Sequence, residues 1–204
     1  ATSFNQSLAW DTSKVQDMSG MFQEAANFDQ PLAFNTSSVT TMVRMFRKAK
    51  RFDQPLDFDT SSVTSLLMTF EEAELFDQPL AGWDTSRVTT MERMLKKAYA
   101  FNHSLSSDTS NVQDMFEMFH DARSFDQPLD FNTSRVATMS GMFCAAANFD
   151  QPLHLNTSNV TTMESMFKGA TNFNQLLSFD TSSVTDMSEM FDRASSFDQP
   201  LYSD

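Results

Sequence analysis

The chain has 204 residues, a formal net charge of -13 and 40 % hydrophobic residues. That charge argues against nucleic acid, whose binding needs Lys and Arg to neutralise phosphates, and equally against an anionic membrane surface. The apolar content is enough for a packed core and argues against disorder, and no apolar run is long enough to span a bilayer.

Taken in chain order, the first feature is a phenylalanine that returns at Phe4, Phe28, Phe52, Phe76, Phe101, Phe125, Phe149, Phe173 and Phe197. The spacing is 24 residues throughout, except for 25 between Phe76 and Phe101. Residues 1–204 are therefore read as one tandem array of eight repeats and a partial ninth. No positively charged leader opens the chain, and both ends read as cuts within a longer protein.

Counted from the phenylalanine, position 5 is leucine in every full repeat, from Leu8 to Leu177, and position 7 is usually aromatic, as in Trp10, Phe34 and Phe131. This alternation predicts a short strand. Proline at position 4, as in Pro31 and Pro128, stiffens its entry and removes a donor. Thr-Ser then suits a turn. In the second repeat Val39, Met42, Met45, Phe46 and Ala49 follow at offsets of three and four, which predicts one face of a short helix with Thr40 as its cap; the alternative is a second extended stretch over residues 39–42 before the helix. The fold expected is an α/β solenoid: a leucine-rich-repeat-like right-handed coil with one short parallel strand and one short helix per repeat.

The second repeat carries Arg44, Arg47, Lys48, Lys50 and Arg51; the third has Glu71, Glu72 and Glu74 at the stacked positions, and the fourth Lys96 and Lys97. Facing charges of this kind support register between copies. The fourth repeat inserts a residue around Gly82, where glycine would suit a small bulge or tight bend.

Position 2 holds Asp or Asn in every copy, and position 8 does so in every full one. Because the two residue types interchange, the columns fit turn or ladder hydrogen bonds; the alternative is a row of calcium sites. Calcium is thus the one cofactor considered, and no other is implied. Position 3 is a glutamine column that includes Gln30, Gln54, Gln78, Gln127 and Gln151 and is broken by His103. These amides either bond coil to coil or face carbohydrate hydroxyls. His103, His120 and His154 occupy three different repeat positions and form no ligand spacing. Cys144, the only cysteine, excludes an internal disulfide framework; it reads as a neutral thiol with no base suggested nearby. No phosphate loop, nucleophile elbow or metalloprotease motif occurs, so the chain reads as non-enzymatic.

The run FNQSLAWDTSKVQDMSGMFQEA at residues 4–25 resembles the BspA-like surface-protein repeat, with its D/N-T-S-x-V and M-x-x-M-F signatures. That repeat is found in Mycoplasma lipoproteins and other bacterial surface proteins. The resemblance implies a leucine-rich-repeat-like solenoid displayed at a cell surface or outside the cell, with adhesion as its role and no catalytic residues to carry over. The function expected is then a non-enzymatic adhesion scaffold whose strand face meets a protein or glycan through Ala33, Asp57, Asp130 and His154 and the glutamines named above. The alternatives are a structural spacer or surface-layer module, with or without calcium, and an intracellular protein-interaction scaffold. End-to-end self-association is a further expectation.

Overall fold

In a computed structural model, which describes residues 2–105 and 107–201, the repeats are built almost wholly from turns. Among the described residues there is no helix and no strand longer than a single bridged residue. The expected α/β, leucine-rich-repeat-like solenoid is therefore corrected on both of its elements.

The helix fails because its offsets are also those of consecutive turns. In the second repeat the Met45 N–H donates to the Met42 carbonyl at 3.0 Å, and the Ala49 N–H to Phe46 at 3.0 Å. Each turn places its third residue at positive φ, Arg44 at 57° and Lys48 at 59°, the mark of a type II turn. The N–H groups of Arg44, Phe46 and Lys48 leave the coil and donate to Leu67, Thr69 and Glu71 of the next, at 2.9, 2.9 and 2.7 Å. Donors thus alternate between the chain's own turn and its neighbour, and the four-residue helical bond never forms. Thr40 is no cap: its hydroxyl donates to the Gln16 carbonyl of the preceding coil at 3.2 Å.

The strand fails for a different reason. Over residues 28–35 the proline lacks a donor, and a side chain takes the place of a ladder carbonyl. The Asp53 N–H donates to Asp29 Oδ1 at 3.1 Å and the Gln54 amide to the same oxygen at 2.8 Å. The bond set returns at Asp77 and Gln78 on Asp53, and at Asp150 and Gln151 on Asp126. A parallel bridge in this region joins Leu129 to Leu153. The other bridges form a line through Asp17, Thr41, Ser65, Thr90, Asp114, Thr138, Thr162 and Asp186, just before the two turns.

Apolar side chains at the turn ends point inward and stack coil on coil. Phe28, Phe52, Phe76, Phe101, Phe125, Phe149 and Phe173 are fully buried, with ring centroids 5.9–6.1 Å from one coil to the next. A second phenylalanine column packs against the first, as in Phe46 on Phe52 at 4.2 Å. Leu95 interrupts this second column, and Trp83 packs on Phe58 and Phe70 at 6.4 and 5.7 Å. Gly82 is exposed, outside the left-handed region, and a Cβ there would meet nothing within 4 Å, so the insertion does not need a glycine for its backbone.

Most of the left-handed positions are not glycine. Among the described residues thirteen that are not glycine have positive φ, joined by Gly20, Gly141 and Gly169, and each side chain there carries strain of about 1 kcal/mol. Ala145→Gly, at φ 57°, is therefore expected to raise stability by about 0.5–1 kcal/mol in urea denaturation. Gly169→Ala, at φ 69° with ordinary contacts to Ala145, is expected to lower it by about 1 kcal/mol.

Candidate functional site

The residues expected to form a binding face fall into two groups. Ala33, Asp57, Asp130 and His154 are exposed. Gln30, Gln54, Gln78, Gln127 and Gln151 are half-buried, and each donates its amide to the Asp or Asn of the preceding coil at 2.8–3.1 Å. Where the glutamine column breaks, His103 Nε2 lies 2.8 Å from the Asp77 carbonyl. With no strand beneath them these residues do not make a repetitive strand face, and the adhesion scaffold built on that face is corrected with it.

Both Asp/Asn columns have backbone partners. At position 2 one carboxyl or amide oxygen accepts from the next coil, as above. At position 8 it accepts from the serine two residues on, as in Ser61 N–H to Asp59 Oδ1 at 3.0 Å and Ser134 N–H to Asn132 Oδ1 at 3.1 Å. Hydrogen bonds from the Ser61 side chain and backbone hold the Asp59 carboxyl below its ordinary range. In most coils the threonine that follows position 8 points inward and ties to the next coil, as Thr109 does to the Asn132 carbonyl at 3.0 Å, whereas the buried Thr36 hydroxyl has no such partner. Asp and Asn are interchangeable here because both supply the one acceptor the geometry asks for.

On the turn-bearing edge the coils carry different charges. Arg47 meets Glu71 at 2.5 Å and Lys50 meets Glu74 at 2.7 Å, so charges do face one another between coils. The densest cluster centres on Glu117. Its Oε2 accepts from Arg93 Nε at 2.6 Å and Lys96 Nζ at 2.5 Å, and its Oε1 lies 3.2 Å from His120 Nδ1. That last contact pairs charges without the alignment of a good hydrogen bond. Burial opposes ionisation of Glu117, but His120, Lys96 and Arg93 outweigh it and hold the carboxyl far below the usual range. Burial likewise opposes a charged His120, but the neighbouring Cys144 and Glu117 outweigh it and raise the ring to about 9.

One coil further on the long side chains stop. Gly141 follows Glu117, and Cys144 follows His120, each by 24 residues. Lys168 stands a coil beyond Cys144 and pairs with Glu189 and Asp192. The gap is a cavity of about 300 Å³ bordered by Glu117, His120, Gly141, Cys144, Ser165 and Lys168. At Gly141 a Cβ would lie 3.1 Å from Glu117 Cγ, so the glycine leaves room for the Glu117 side chain; its φ of +61° does not demand glycine, since Glu117 and Ser165 hold the same conformation one coil away on either side. The reading of Cys144 as a thiol with no base suggested nearby is corrected to this extent: stacking puts His120 on the wall of the same cavity. The signal was present in the sequence as two residues one repeat length apart.

His120 gives the cluster a pH signature. A ring raised from about 6.5 unfolded to about 9 folded stabilises fully below pH 6.5 and loses that contribution as pH rises through 9. With the partial exposure of the ring, about 1–2 kcal/mol is expected to disappear between pH 6.5 and 9.5 in urea denaturation. The His120→Gln variant should lack this loss.

Together these features define a tandem array of turn-built coils with one asymmetric polar cluster on its turn edge. The chain belongs to the family described as "Mycoplasma protein of unknown function, DUF285", whose model matches residues 1–58, 56–131 and 129–204. The assignment to BspA-like, leucine-rich-repeat-like surface repeats is corrected accordingly, since its repeating strand and helix are not formed. No curated protein and no solved structure matches the chain. Among the described residues no cluster of three or more acidic, histidine or cysteine side chains is arranged to hold a metal ion.

Proposed function

We propose that the chain is a non-enzymatic docking array that engages a protein partner through its turn edge. One observation carries this reading. The columns at positions 2 and 3 repeat nearly the same residue in every coil and are tied to the neighbouring coil by hydrogen bonds. The turn-edge columns do the reverse. One runs Gln23, Arg47, Glu71, Lys96, His120, Cys144, Lys168, Asp192; its neighbour runs Glu24, Lys48, Glu72, Lys97, Asp121, Ala145, Gly169, Arg193. Side chains that differ from coil to coil on a rigid, repeating backbone are what partner recognition requires. Arg44 is exposed and Lys48 and Lys97 are partly so, which makes an acidic protein surface the complementary partner.

The test captures partners on the immobilised chain and compares two variants. Arg44→Glu with Lys48→Glu and Lys97→Glu should lose the captured protein, whereas Asp57→Ala with Asp130→Ala and His154→Ala should retain it. The opposite pattern, or loss in both, contradicts the turn edge as the contact surface. An extracellular or cell-surface setting belongs to the same proposal, and protease treatment of intact cells tests it.

A further inference from the structure

We propose that the docking surface is centred on one corner of the array, where Arg51, Leu75, Tyr99 and Arg123 stand on four consecutive coils. Its occupant is an extended protein segment with a large apolar side chain between two carboxylates. The inference rests on the reading of the chain as a docking array. After the two type II turns each coil makes a third; in the third coil the Phe76 N–H donates to the Ala73 carbonyl at 3.2 Å. The middle residues of that turn, Glu74 and Leu75, form the corner. Successive corners are tied together. The Leu75 N–H donates to the Lys50 carbonyl at 3.1 Å, Ala100 to Glu74 at 3.1 Å and Ser124 to Tyr99 at 3.2 Å. The corner side chains therefore project from a fixed backbone line.

Those side chains change along the array. The second to fifth coils place Lys50, Arg51, Glu74, Leu75, Tyr99 and Arg123 there, whereas the next three place only Ala, Asn, Thr and Ser. Leu75 is 55 % exposed. The other large hydrophobic side chains exposed among the described residues, Trp10, Leu176, Met187 and Leu201, belong to the first coil or to those from Phe173 onward. Further along the corner, Arg123 lies over the Tyr99 ring, its Cζ 4.4 Å from the centroid. Asp121 holds its Nε and Nη2 at 2.8 and 3.2 Å, which fixes the guanidinium and leaves its Nη1 donors for an incoming carboxylate. On the other side of Leu75, Lys50 pairs with Glu74 at 2.7 Å, while Arg51 is exposed and pairs with no carboxylate among the described residues. An apolar side chain set among tyrosine and arginine is the composition of an interface hot spot. On a chain of net charge -13, two arginines flanking a leucine select an acidic segment. Three coils at about 4.8 Å set Arg51 roughly 14 Å from Arg123, the reach of roughly four residues of extended chain. That span fits the pattern acid-x-apolar-x-acid, whose three named side chains fall on one side of an extended segment.

The probe is a phage-displayed library of random dodecapeptides, selected on the folded chain at physiological salt. Enriched peptides should carry Leu, Phe or Trp with Asp or Glu two residues away on each side. The strongest of them, synthesised and followed by fluorescence polarisation, should bind at least tenfold more weakly to Leu75→Ser and to Arg51→Gln combined with Arg123→Gln. These three side chains are exposed, and urea midpoints check that both variants are folded. Enrichment without that pattern, or an affinity unaltered in Leu75→Ser, overturns the proposal. If Leu75→Ser retains the protein captured by the native chain while the variant at Arg44, Lys48 and Lys97 loses it, the docking array stands and the corner is not its centre.

Discussion

Replacing Phe125 with alanine is expected to lower stability by about 3–5 kcal/mol, the cost of an emptied aromatic site in a closed core. Phe125 has no exposed surface and is ringed by Phe101 at 6.1 Å, Phe119 at 4.1 Å and Phe149 at 5.9 Å. A stack in which each coil touches only its neighbours should also respond unevenly. Coils on either side of the cavity keep their own interfaces, so urea unfolding should lose its single transition and show two. Phe4→Ala is the control: Phe4 is only partly buried and stacks on Phe28 alone, so a loss of about 1 kcal/mol and one transition are expected. Equal losses at the two positions would mean that the columns do not carry the array.

The second large effect concerns Asp126, whose Oδ1 accepts from the Asp150 N–H at 3.0 Å and from the Gln151 amide at 2.9 Å. Asp126→Asn keeps that acceptor and should stay within about 0.5 kcal/mol of the parent. Asp126→Ala leaves a half-buried N–H and an amide without their partner and should cost about 1–3 kcal/mol. Urea denaturation of both variants, with chelator and with calcium, decides between the two readings of the column. If Asn were as damaging as Ala and calcium raised the parent's midpoint, charge would be the column's purpose and the hydrogen bond incidental.

The period and the core were legible because burial follows residue type and spacing whatever the backbone does between. Phe, Leu, Val and Met at fixed repeat positions had to face one another in any stack. The local conformation was not legible in the same way. Val39, Met42, Met45, Phe46 and Ala49 satisfy a helical pattern, but residues three apart also mark the two ends of a type II turn, and periodicity cannot separate the two. Arg44 and Lys48 gave no warning, since side chains such as theirs rarely sit at positive φ; inter-coil hydrogen bonds hold them there. The strand was misread because Leu32 and Phe34 do alternate, while Pro31 and the Asp29 side chain displace the backbone ladder that alternation implies. At the candidate site the signal lies in residues one repeat apart and not in the spacing of the histidines along the chain. Reading down a column instead of along the chain places Cys144 after His120 and Gly141 after Glu117.

The variable turn edge exists because the methionine-rich segment is a pair of turns bonded to the next coil. Through-hydrogen-bond scalar couplings in the labelled chain test it directly. The structure predicts that the Leu95 N–H couples to the Met118 carbonyl and the Lys97 N–H to the His120 carbonyl. Couplings from Leu95 to Met91 and from Lys97 to Arg93, four residues earlier in the same segment, would contradict it and restore a helix.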